Sequence, residues 1–330
     1  MDVTLGVDIG GTKVAGGVVD RAGRILHRAR AQTPDRSTSA RAVEDAIVDV
    51  VHALVRATGE SARVRAVGVG AAGWVSNDRS TVLFSPHLSW RSEPLRERLR
   101  TRISVPVIVD NDANAAAWAE WRFGAAQGES ALVMITLGTG IGGAIVRDGH
   151  LDRGRWGLAG EFGHMQVVPD GHRCECGNRG CWEQYASGTA LVREARSMID
   201  AGSPLSRDLD DRWRGDGGPL TGPLVTAAAR AGDRTAVELL AEVGHWLGVG
   251  LANLAAALDP GLFVIGGGVS GAGELLLGPA REAFRRRLPG RGYRPSAGIV
   301  GAALGNDSGL IGAADLAWEQ VSRSGESDGE

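Results

Sequence analysis

Apolar and polar residues along this chain follow two periods, one typical of strands and one typical of helices. Short apolar runs bounded by glycine or polar residues predict strands at residues 3–8, 14–19, 24–30, 64–70 and 106–110. Apolar residues at helical spacing predict a helix from about residue 40 to 58. Asn111, Asp112 and Asn114 can accept hydrogen bonds from free N–H groups, and they predict the start of a helix that ends near Phe123.

The pattern then begins again. A strand at 131–137, a glycine turn at 138–143 and a strand at 144–147 resemble the first hairpin, in which Asp8 ends a strand and Gly10 to Thr12 form the turn. The two hairpins predict two related halves of the chain. Strands that alternate with helices after antiparallel hairpins favour an α/β protein of two lobes.

After a stretch rich in cysteine, histidine and glycine at 160–188, the chain is predicted to be mostly helical as far as about residue 258. A polar segment at 208–222 predicts a surface loop within it. Two strands are then predicted at 262–265 and 298–304. A helix follows each of them, at 274–288 and 310–320. The apolar run at 247–258 is shorter than the roughly 20 residues that a membrane helix needs.

Composition narrows the class of protein. Of the 330 residues, 43% are hydrophobic and 23% are charged, which is typical of a globular chain and excludes general disorder. A net charge of −3 leaves no global basic field for nucleic acid or an anionic membrane. Three cysteines cannot form a disulfide framework, and the first residues show no signal-peptide pattern. We therefore expect a cytoplasmic protein.

Fifty glycines, about twice the usual frequency of roughly 7%, cluster beside apolar runs. The G-x-G-x-x-G pattern occurs three times, but no copy has the strand, helix and acidic residue of a dinucleotide site around it. Three loops are instead predicted to bind phosphate, because glycine lets N–H groups approach anionic oxygens. Their residues are Asp8, Gly10, Gly11, Thr12 and Lys13; Gly138, Thr139 and Gly140; and Gly266, Gly267 and Gly268. Asp8 is a candidate partner of Mg²⁺. A plain hairpin turn is the alternative for the two loops that join antiparallel strands.

All three cysteines lie close to one histidine. His164, Cys174, Cys176 and Cys181 fall within 18 residues, in a stretch rich in turns. One histidine and three cysteines complete a tetrahedral Zn²⁺ shell and leave no position for a catalytic water, so the predicted metal is structural. His172 is the rival fourth ligand, and three buried reduced thiols are the alternative without a metal.

Four motifs in this order resemble the ROK family of sugar kinases and sugar-responsive repressors, over about residues 3–320. They are Asp8-Ile9-Gly10-Gly11-Thr12-Lys13, Leu137 to Gly143, Glu161-Phe162-Gly163-His164 and Cys174 to Glu183. Within the family, the segments 109–114 and 181–188 are most similar to actinobacterial ATP-dependent glucokinases. His87 stands in a loop where many of these glucokinases have asparagine, which leaves the choice between sugar epimers open.

The resemblance implies an actin/hexokinase-like fold, which is related to ribonuclease H and has two lobes with a central cleft. It predicts a small lobe from residues 1–115 plus about 308–320 and a large lobe from 116–307. The zinc loop would span 160–188, and a disordered tail would follow at 321–330. Gly266 to Gly268 would line the adenosine of ATP.

The resemblance also implies roles for side chains. Asp112 would be the general base, and Asn111, Asp112, Glu161, His164 and Glu183 would hold sugar hydroxyls. Phosphoryl transfer to a hydroxyl needs a carboxylate that accepts the proton, and each sugar hydroxyl both donates and accepts. Without the family, Asp112 reads as a helix cap and Glu161 and Glu183 as surface carboxylates.

The expected reaction is transfer of the γ-phosphoryl group of ATP to the 6-hydroxyl of D-glucose, with Mg²⁺ on the ATP. Kinases for fructose, mannose or N-acylmannosamine and a polyphosphate-dependent glucokinase are the alternatives. A sugar-sensing repressor is disfavoured, because the first strand begins near Val3 and leaves no room for a DNA-binding domain ahead of it. The family further implies a homo-oligomer, either a dimer or a tetramer.

Overall fold

The structure is a computed structural model that describes residues 1–327. Its strands are β1 Asp2–Ile9, β2 Lys13–Val19, β3 Ile25–Gln32, β4 Arg63–Ala71, β5 Trp74–Val75, β6 Val82–Phe84, β7 Arg91–Glu93, β8 Val107–Asn111, β9 Ala131–Leu137, β10 Ile141–Arg147, β11 His150–Leu151, β12 Leu262–Gly266 and β13 Gly298–Gly301. Its α-helices are α1 Ala40–Thr58, α2 Leu95–Arg100, α3 Asp112–Phe123, α4 Glu183–Ala186, α5 Gly188–Asp200, α6 Arg207–Asp216, α7 Gly222–Arg230, α8 Arg234–Leu258, α9 Glu274–Arg287 and α10 Ser308–Ser327.

The chain divides into two compact units. The first contains residues 1–130, 144–160 and the chain from 303 onward, and the second contains 131–143 and 161–302. The first unit is larger than the small lobe expected from the sequence. It gains α3 and the start of the chain after β13, because the buried carboxylate of Glu120 on α3 accepts the backbone N–H groups of Ala303 and Leu304 at 3.0 and 2.8 Å.

The sheet of the first unit has the strand order β3-β2-β1-β4-β8. β1 is antiparallel to β2 and parallel to β4, and β4 is parallel to β8. The register places Asp8 opposite Gly70 and Gly70 opposite Asp110. The carboxyl ends of three parallel strands therefore meet at one edge of the sheet, where open α/β sheets bind ligands.

A second sheet repeats this topology in the order β11-β10-β9-β12-β13, with β9, β12 and β13 parallel. Position by position, β11, β10, β9, β12 and β13 correspond to β3, β2, β1, β4 and β8 of the first sheet. This correspondence confirms the two related halves predicted from the hairpins. The division between the two units falls within β10. A small sheet of β5, β6 and β7 was not predicted, because strands of two or three residues carry too few alternations to be seen in a sequence.

The core of the first unit lies between its sheet and α1, whose bounds were predicted correctly. On the sheet, the backbone of α10 lies very close to the backbones of β1 and β4. A Cβ atom at Gly6 would lie 1.9 Å from the carbonyl oxygen of Leu310, and one at Gly68 would lie 1.7 Å from that of Ala313. These two strand glycines are needed because any side chain would push α10 away from the sheet.

The long helix α8 forms the centre of the second unit. By length and composition it could cross a membrane, but 61% of its most apolar window is buried inside the structure. Its residues Leu240, Leu247 and Leu251 are fully buried in the core of the unit. This burial is typical of a core helix, and α8 is the one such candidate among the described residues.

Two predictions of secondary structure were wrong. The segment 208–222 was predicted as a loop, but α6 forms there because Leu209 is fully buried and Trp213, one turn later, packs against the core. The disordered tail was predicted from residue 321, yet α10 continues to Ser327. Val321 still packs against buried apolar residues, which extends the helix. Only residues 328–330 of that predicted tail lie outside the described residues.

Candidate active site

Asp112 and Asn111 lie where β8 turns into α3. Asn111 is the N-cap, and its Oδ1 accepts the backbone N–H of Asn114 at 3.0 Å. The carboxylate of Asp112 accepts the N–H of Ala113 at 3.0 Å and the side-chain amide of Asn111 at 3.1 Å. Because Asn111 caps the helix, the capping role considered for Asp112 belongs mainly to its neighbour.

The first glycine loop joins β1 to β2 at the same edge of the sheet. The N–H of Gly10 donates to the carbonyl oxygen of Lys13 at 3.0 Å, which closes a tight turn. Gly11, Thr12 and Lys13 are exposed, so their donors are open to an anion. Gly11 also lies against His87, since a Cβ atom there would be 3.2 Å from the Cβ of His87.

Asp8 and Asp112 both lie close to Gly70. A Cβ atom at Gly70 would be 3.8 Å from Oδ1 of Asp8 and 3.6 Å from the Cα of Asp112. The carboxyl of Asp8 is largely enclosed by protein, although part of its surface reaches solvent. This desolvation raises the pKa of Asp8 to about 6, and the charge of Lys13 opposes the shift. A cation bound beside Asp8 would favour its ionised form.

We predict that Asp8→Asn stabilises the ligand-free protein. The folded-state pKa is raised, so the ionised carboxylate destabilises the fold above pH 6, and this penalty disappears below about pH 4. Denaturant unfolding at pH 7.5 should show a gain of about 3 kcal/mol in the free energy of unfolding, falling to about half at pH 5. The exposed residue Asp49 on α1 gives the control, because Asp49→Asn should change little. An equal gain at both pH values would contradict the prediction.

In the second unit the two other glycine loops lie at the carboxyl ends of β9 and β12. The N–H of Gly188 donates to the carbonyl oxygen of Gly138 at 2.8 Å, which fixes the first of these loops to the start of α5. Gly267 has a φ of 82°, and a Cβ atom there would lie 2.5 Å from the carbonyl oxygen of Leu137. The structure therefore brings 138–140 and 266–268 together, as the topology of parallel strands requires.

Glu183 links the glycine loop at 138–140 to the histidine. A Cβ atom at Gly140 would lie 2.5 Å from Oε2 of Glu183, so the carboxylate rests against the loop. Its Oε1 lies 3.6 Å from Nδ1 of His164, and Nε2 of the same ring lies 3.9 Å from Oε2 of Glu161. The three side chains therefore form one polar group within the second unit.

The four predicted metal ligands lie together. The ligand atoms of His164, Cys174, Cys176 and Cys181 are all within 4.8 Å of one another. Sγ of Cys176 lies 3.6 Å from Sγ of Cys181, and Sγ of Cys174 lies 3.7 Å from Nδ1 of His164. A tetrahedron with Zn–S bonds of about 2.3 Å and a Zn–N bond of about 2.0 Å has edges of about 3.5–3.8 Å. These two separations of 3.6 and 3.7 Å match such edges.

His172, the rival ligand, lies elsewhere. Its ring is 5.2 Å from the ring of Tyr185, and its backbone N–H donates to the Tyr185 hydroxyl at 2.9 Å. Burial raises the pKa of the Cys174 and Cys181 thiols, so the thiolates that bind zinc need a cation beside them. Sγ of Cys174 also lies 3.1 Å from Oε1 of Glu183, which places the cluster in contact with the polar group around His164.

Sequence reasoning missed some residues that support the site. Gly73, which has a φ of 142°, offers its carbonyl oxygen to the side-chain amide of Asn111 at 3.0 Å. Gly309, in the first turn of α10, allows Asp8 to approach, since a Cβ atom there would lie 3.0 Å from the carboxylate. No sequence pattern marks either glycine for such a role, because each acts through a residue distant in the chain.

The chain belongs to the ROK family, whose pattern it matches over residues 4–320. It is 47% identical to a glucokinase of Streptomyces coelicolor over 321 residues, which cover 97% of this chain and 98% of the relative. The family match and the 47% identity both confirm the resemblance inferred from the motifs.

Solved structures agree. The ROK family glucokinase of Streptomyces griseus, crystallised with glucose and AMPPNP, superposes with a TM-score of 0.87 at 50% identity and covers 96% of this chain and 99% of its own. The ROK hexokinase of Thermus thermophilus superposes with a TM-score of 0.78 at 35% identity, over 97% and 99% of the two chains. The fold is therefore the α/β fold of the actin/hexokinase-like ROK sugar kinases, as predicted.

Proposed function

We propose that this protein is an ATP-dependent glucokinase, which transfers the γ-phosphoryl group of ATP to the 6-hydroxyl of D-glucose and releases glucose 6-phosphate and ADP. Its similarity over nearly the whole chain to a glucokinase crystallised with glucose and an ATP analogue is the observation that carries this proposal. The 47% identity to the Streptomyces coelicolor glucokinase supports it independently of any structure.

The first unit supplies the base and one phosphate loop. Asp112 accepts the proton of the 6-hydroxyl as the oxygen attacks the γ-phosphorus, and Asn111 holds a neighbouring hydroxyl. This role needs an acceptor fixed by its surroundings, and the two donors to the Asp112 carboxylate supply that support. The exposed turn from Gly10 to Lys13 binds phosphate oxygens. Asp8 would hold the Mg²⁺ that accompanies ATP, either directly or through a water ligand.

The second unit supplies the sugar-binding carboxylates and the nucleotide loops. Glu161, His164 and Glu183 bind sugar hydroxyls, for which an imidazole between two carboxylates offers both donors and acceptors. Gly138, Thr139 and Gly140 bind phosphate, and Gly266, Gly267 and Gly268 line the adenosine. Their place at the carboxyl ends of β9 and β12 supports this assignment.

The Cys₃His cluster is proposed to hold a structural Zn²⁺. The residues fit this ion, because three thiolates and one imidazole complete a tetrahedral shell. Nδ1 of His164 faces the cysteines, which leaves Nε2 for the sugar. The ion would fix the His164 ring and, through Cys174, the position of Glu183.

The proposal extends to the setting of the enzyme. A cytoplasmic location fits an enzyme that uses ATP and keeps three reduced thiols. A dimer or tetramer remains a prediction from the family, which sedimentation of the purified protein would test.

The decisive experiment is ADP release by the purified protein with Mg-ATP and a panel of sugars. Glucose, mannose, fructose and N-acetylmannosamine should be compared at equal concentration, and polyphosphate should replace ATP in a parallel series. We expect glucose with ATP to give the highest kcat/KM. A higher kcat/KM for another sugar would still show a sugar kinase and would make the loop of His87 the candidate determinant of specificity. Absence of phosphoryl transfer with every pair of sugar and donor would overturn the proposed function.

A further inference from the structure

The carboxylate of Asp110 is buried directly before the residues proposed to hold the sugar. It lies near the end of β8 and is 3% exposed. Its Oδ1 accepts the backbone N–H of Asn111 at 2.9 Å and the side-chain amide of Asn114 at 3.1 Å. Asn114 belongs to the first turn of α3, so Asp110 holds the chain on both sides of Asp112.

Arg153 supplies the opposite charge to Asp110. Nε of Arg153 donates to Oδ2 at 3.0 Å and to Oδ1 at 3.3 Å, and its terminal nitrogen donates to Oδ2 at 2.5 Å. The guanidinium therefore spans both carboxylate oxygens, a geometry that fixes orientation as well as charge. Only 19% of the Arg153 side chain is exposed, so water screens the pair weakly.

The loop that carries Arg153 is itself held in place. Just before it, the N–H of Asp152 donates to the carbonyl oxygen of Ile145 on β10 at 2.9 Å. The N–H of Ala159 then donates to the carbonyl oxygen of Arg153 at 3.1 Å. Backbone hydrogen bonds on both sides therefore fix Arg153 beside the junction of β8 and α3, within the first unit.

No other described residue forms this bidentate pair with Asp110. Arg79 is close enough for its charge to act on Asp110, but its guanidinium donates to the side chain of Gln320 at 2.6 Å. Without Arg153, Asp110 would be a buried carboxylate whose donors in the described part of the chain are the neutral amides of Asn111 and Asn114. Such a group is strongly unfavourable, and it must reorient, draw in water or take up a proton. Each outcome disturbs the turn that positions Asp112.

We propose that Arg153 is a positioning residue for phosphoryl transfer, which acts through Asp110 to fix Asn111 and Asp112. The proposal rests on the proposed function, because it takes Asp112 as the general base. It adds a residue that acts through a buried carboxylate and that lies 43 positions along the chain from its partner.

The test compares Arg153→Met and Arg153→Lys with Arg155→Met, a matched control in the same loop whose guanidinium faces Trp156. We expect Arg153→Met to lower kcat about 10- to 100-fold while KM for glucose stays within about threefold, because a misplaced base slows chemistry more than binding. Lysine keeps the charge but not the bidentate geometry, so Arg153→Lys should recover only part of the loss. Arg155→Met should keep the wild-type kcat.

Two further measurements separate positioning from general loss of structure. The double variant Asp110→Asn with Arg153→Met should be no slower than Arg153→Met alone, because both changes break one interaction. Amide hydrogen exchange at Asn111 and Asn114 should accelerate about tenfold or more in Arg153→Met, whatever the substrate of the enzyme is. If Arg153→Met does not fold, Arg153→Lys and the double variant decide.

Wild-type kcat in Arg153→Met or Arg153→Lys would overturn the proposal, and so would losses that multiply in the double variant or unchanged exchange at Asn111 and Asn114. Turnover of glucose by the wild-type protein in the same assay reports on the proposed function separately. If the wild-type protein does not turn over glucose, the proposed function is rejected. Accelerated exchange in Arg153→Met would still show, in that case, that Arg153 stabilises the junction of β8 and α3.

Discussion

Asp112→Asn is expected to lower kcat by at least ~100-fold, the lower range for the loss of a general base. Asparagine has the same shape, but its amide cannot take up the proton of the 6-hydroxyl. The oxygen of the new amide can still accept the N–H of Ala113, and Asn111 continues to cap α3. The fold should therefore survive, and KM for glucose should change much less than kcat.

Steady-state kinetics and circular dichroism would check this expectation. Asp233→Asn is a matched control, because Asp233 is the N-cap of α8 and accepts the N–H of Ala236 at 2.9 Å. That variant should keep kcat within about twofold, since its asparagine also caps a helix. Near-normal turnover in Asp112→Asn would remove Asp112 from the mechanism.

Cys176→Ser is expected to release the proposed zinc ion and to disorganise the loop at 160–188. Cys176 is exposed, so its replacement costs little packing, and any large effect comes from the lost ligand. The remaining three ligands cannot complete the tetrahedron. The free energy of metal binding then no longer contributes to the stability of the fold. Activity should fall as well, because Cys174 and His164 contact Glu183.

Elemental analysis should find about one zinc ion per wild-type chain and almost none in Cys176→Ser. Thermal unfolding with and without a chelator should show the same lowered Tm for the variant and a chelator-dependent Tm for the wild type. The neighbouring exposed residue Glu175 gives the control, since Glu175→Gln should retain both zinc and activity. Full zinc content in Cys176→Ser would rule out this set of ligands.

Much of the fold could be predicted because its signals are local. The apolar period of α1 gave both of its ends correctly, and the capping side chain of Asn111 placed the start of α3. The strand β9 was predicted with its observed bounds. The metal ligands were also a local signal, because all four lie within 18 residues.

Predictions failed where local signals were weak. The ten residues of α6 are mostly polar, and only the buried Leu209 and the packed Trp213 hold the helix against the core. The end of α10 was predicted too early, since Val321 packs against an apolar cluster that includes Ala66 of β4 and Ile108 of β8. In both cases tertiary packing overrode a composition typical of loops.

By itself, then, the sequence determined the class of the fold, the glycine loops and the candidate zinc ligands, because these depend on hydrogen bonds and periods within a few residues. The tertiary structure alone decided which histidine joins the cysteines, why burial raises the pKa of Asp8, and that Arg153 pairs with Asp110. Those features depend on desolvation and on contacts between distant parts of the chain, and both exist only once the sheets have formed.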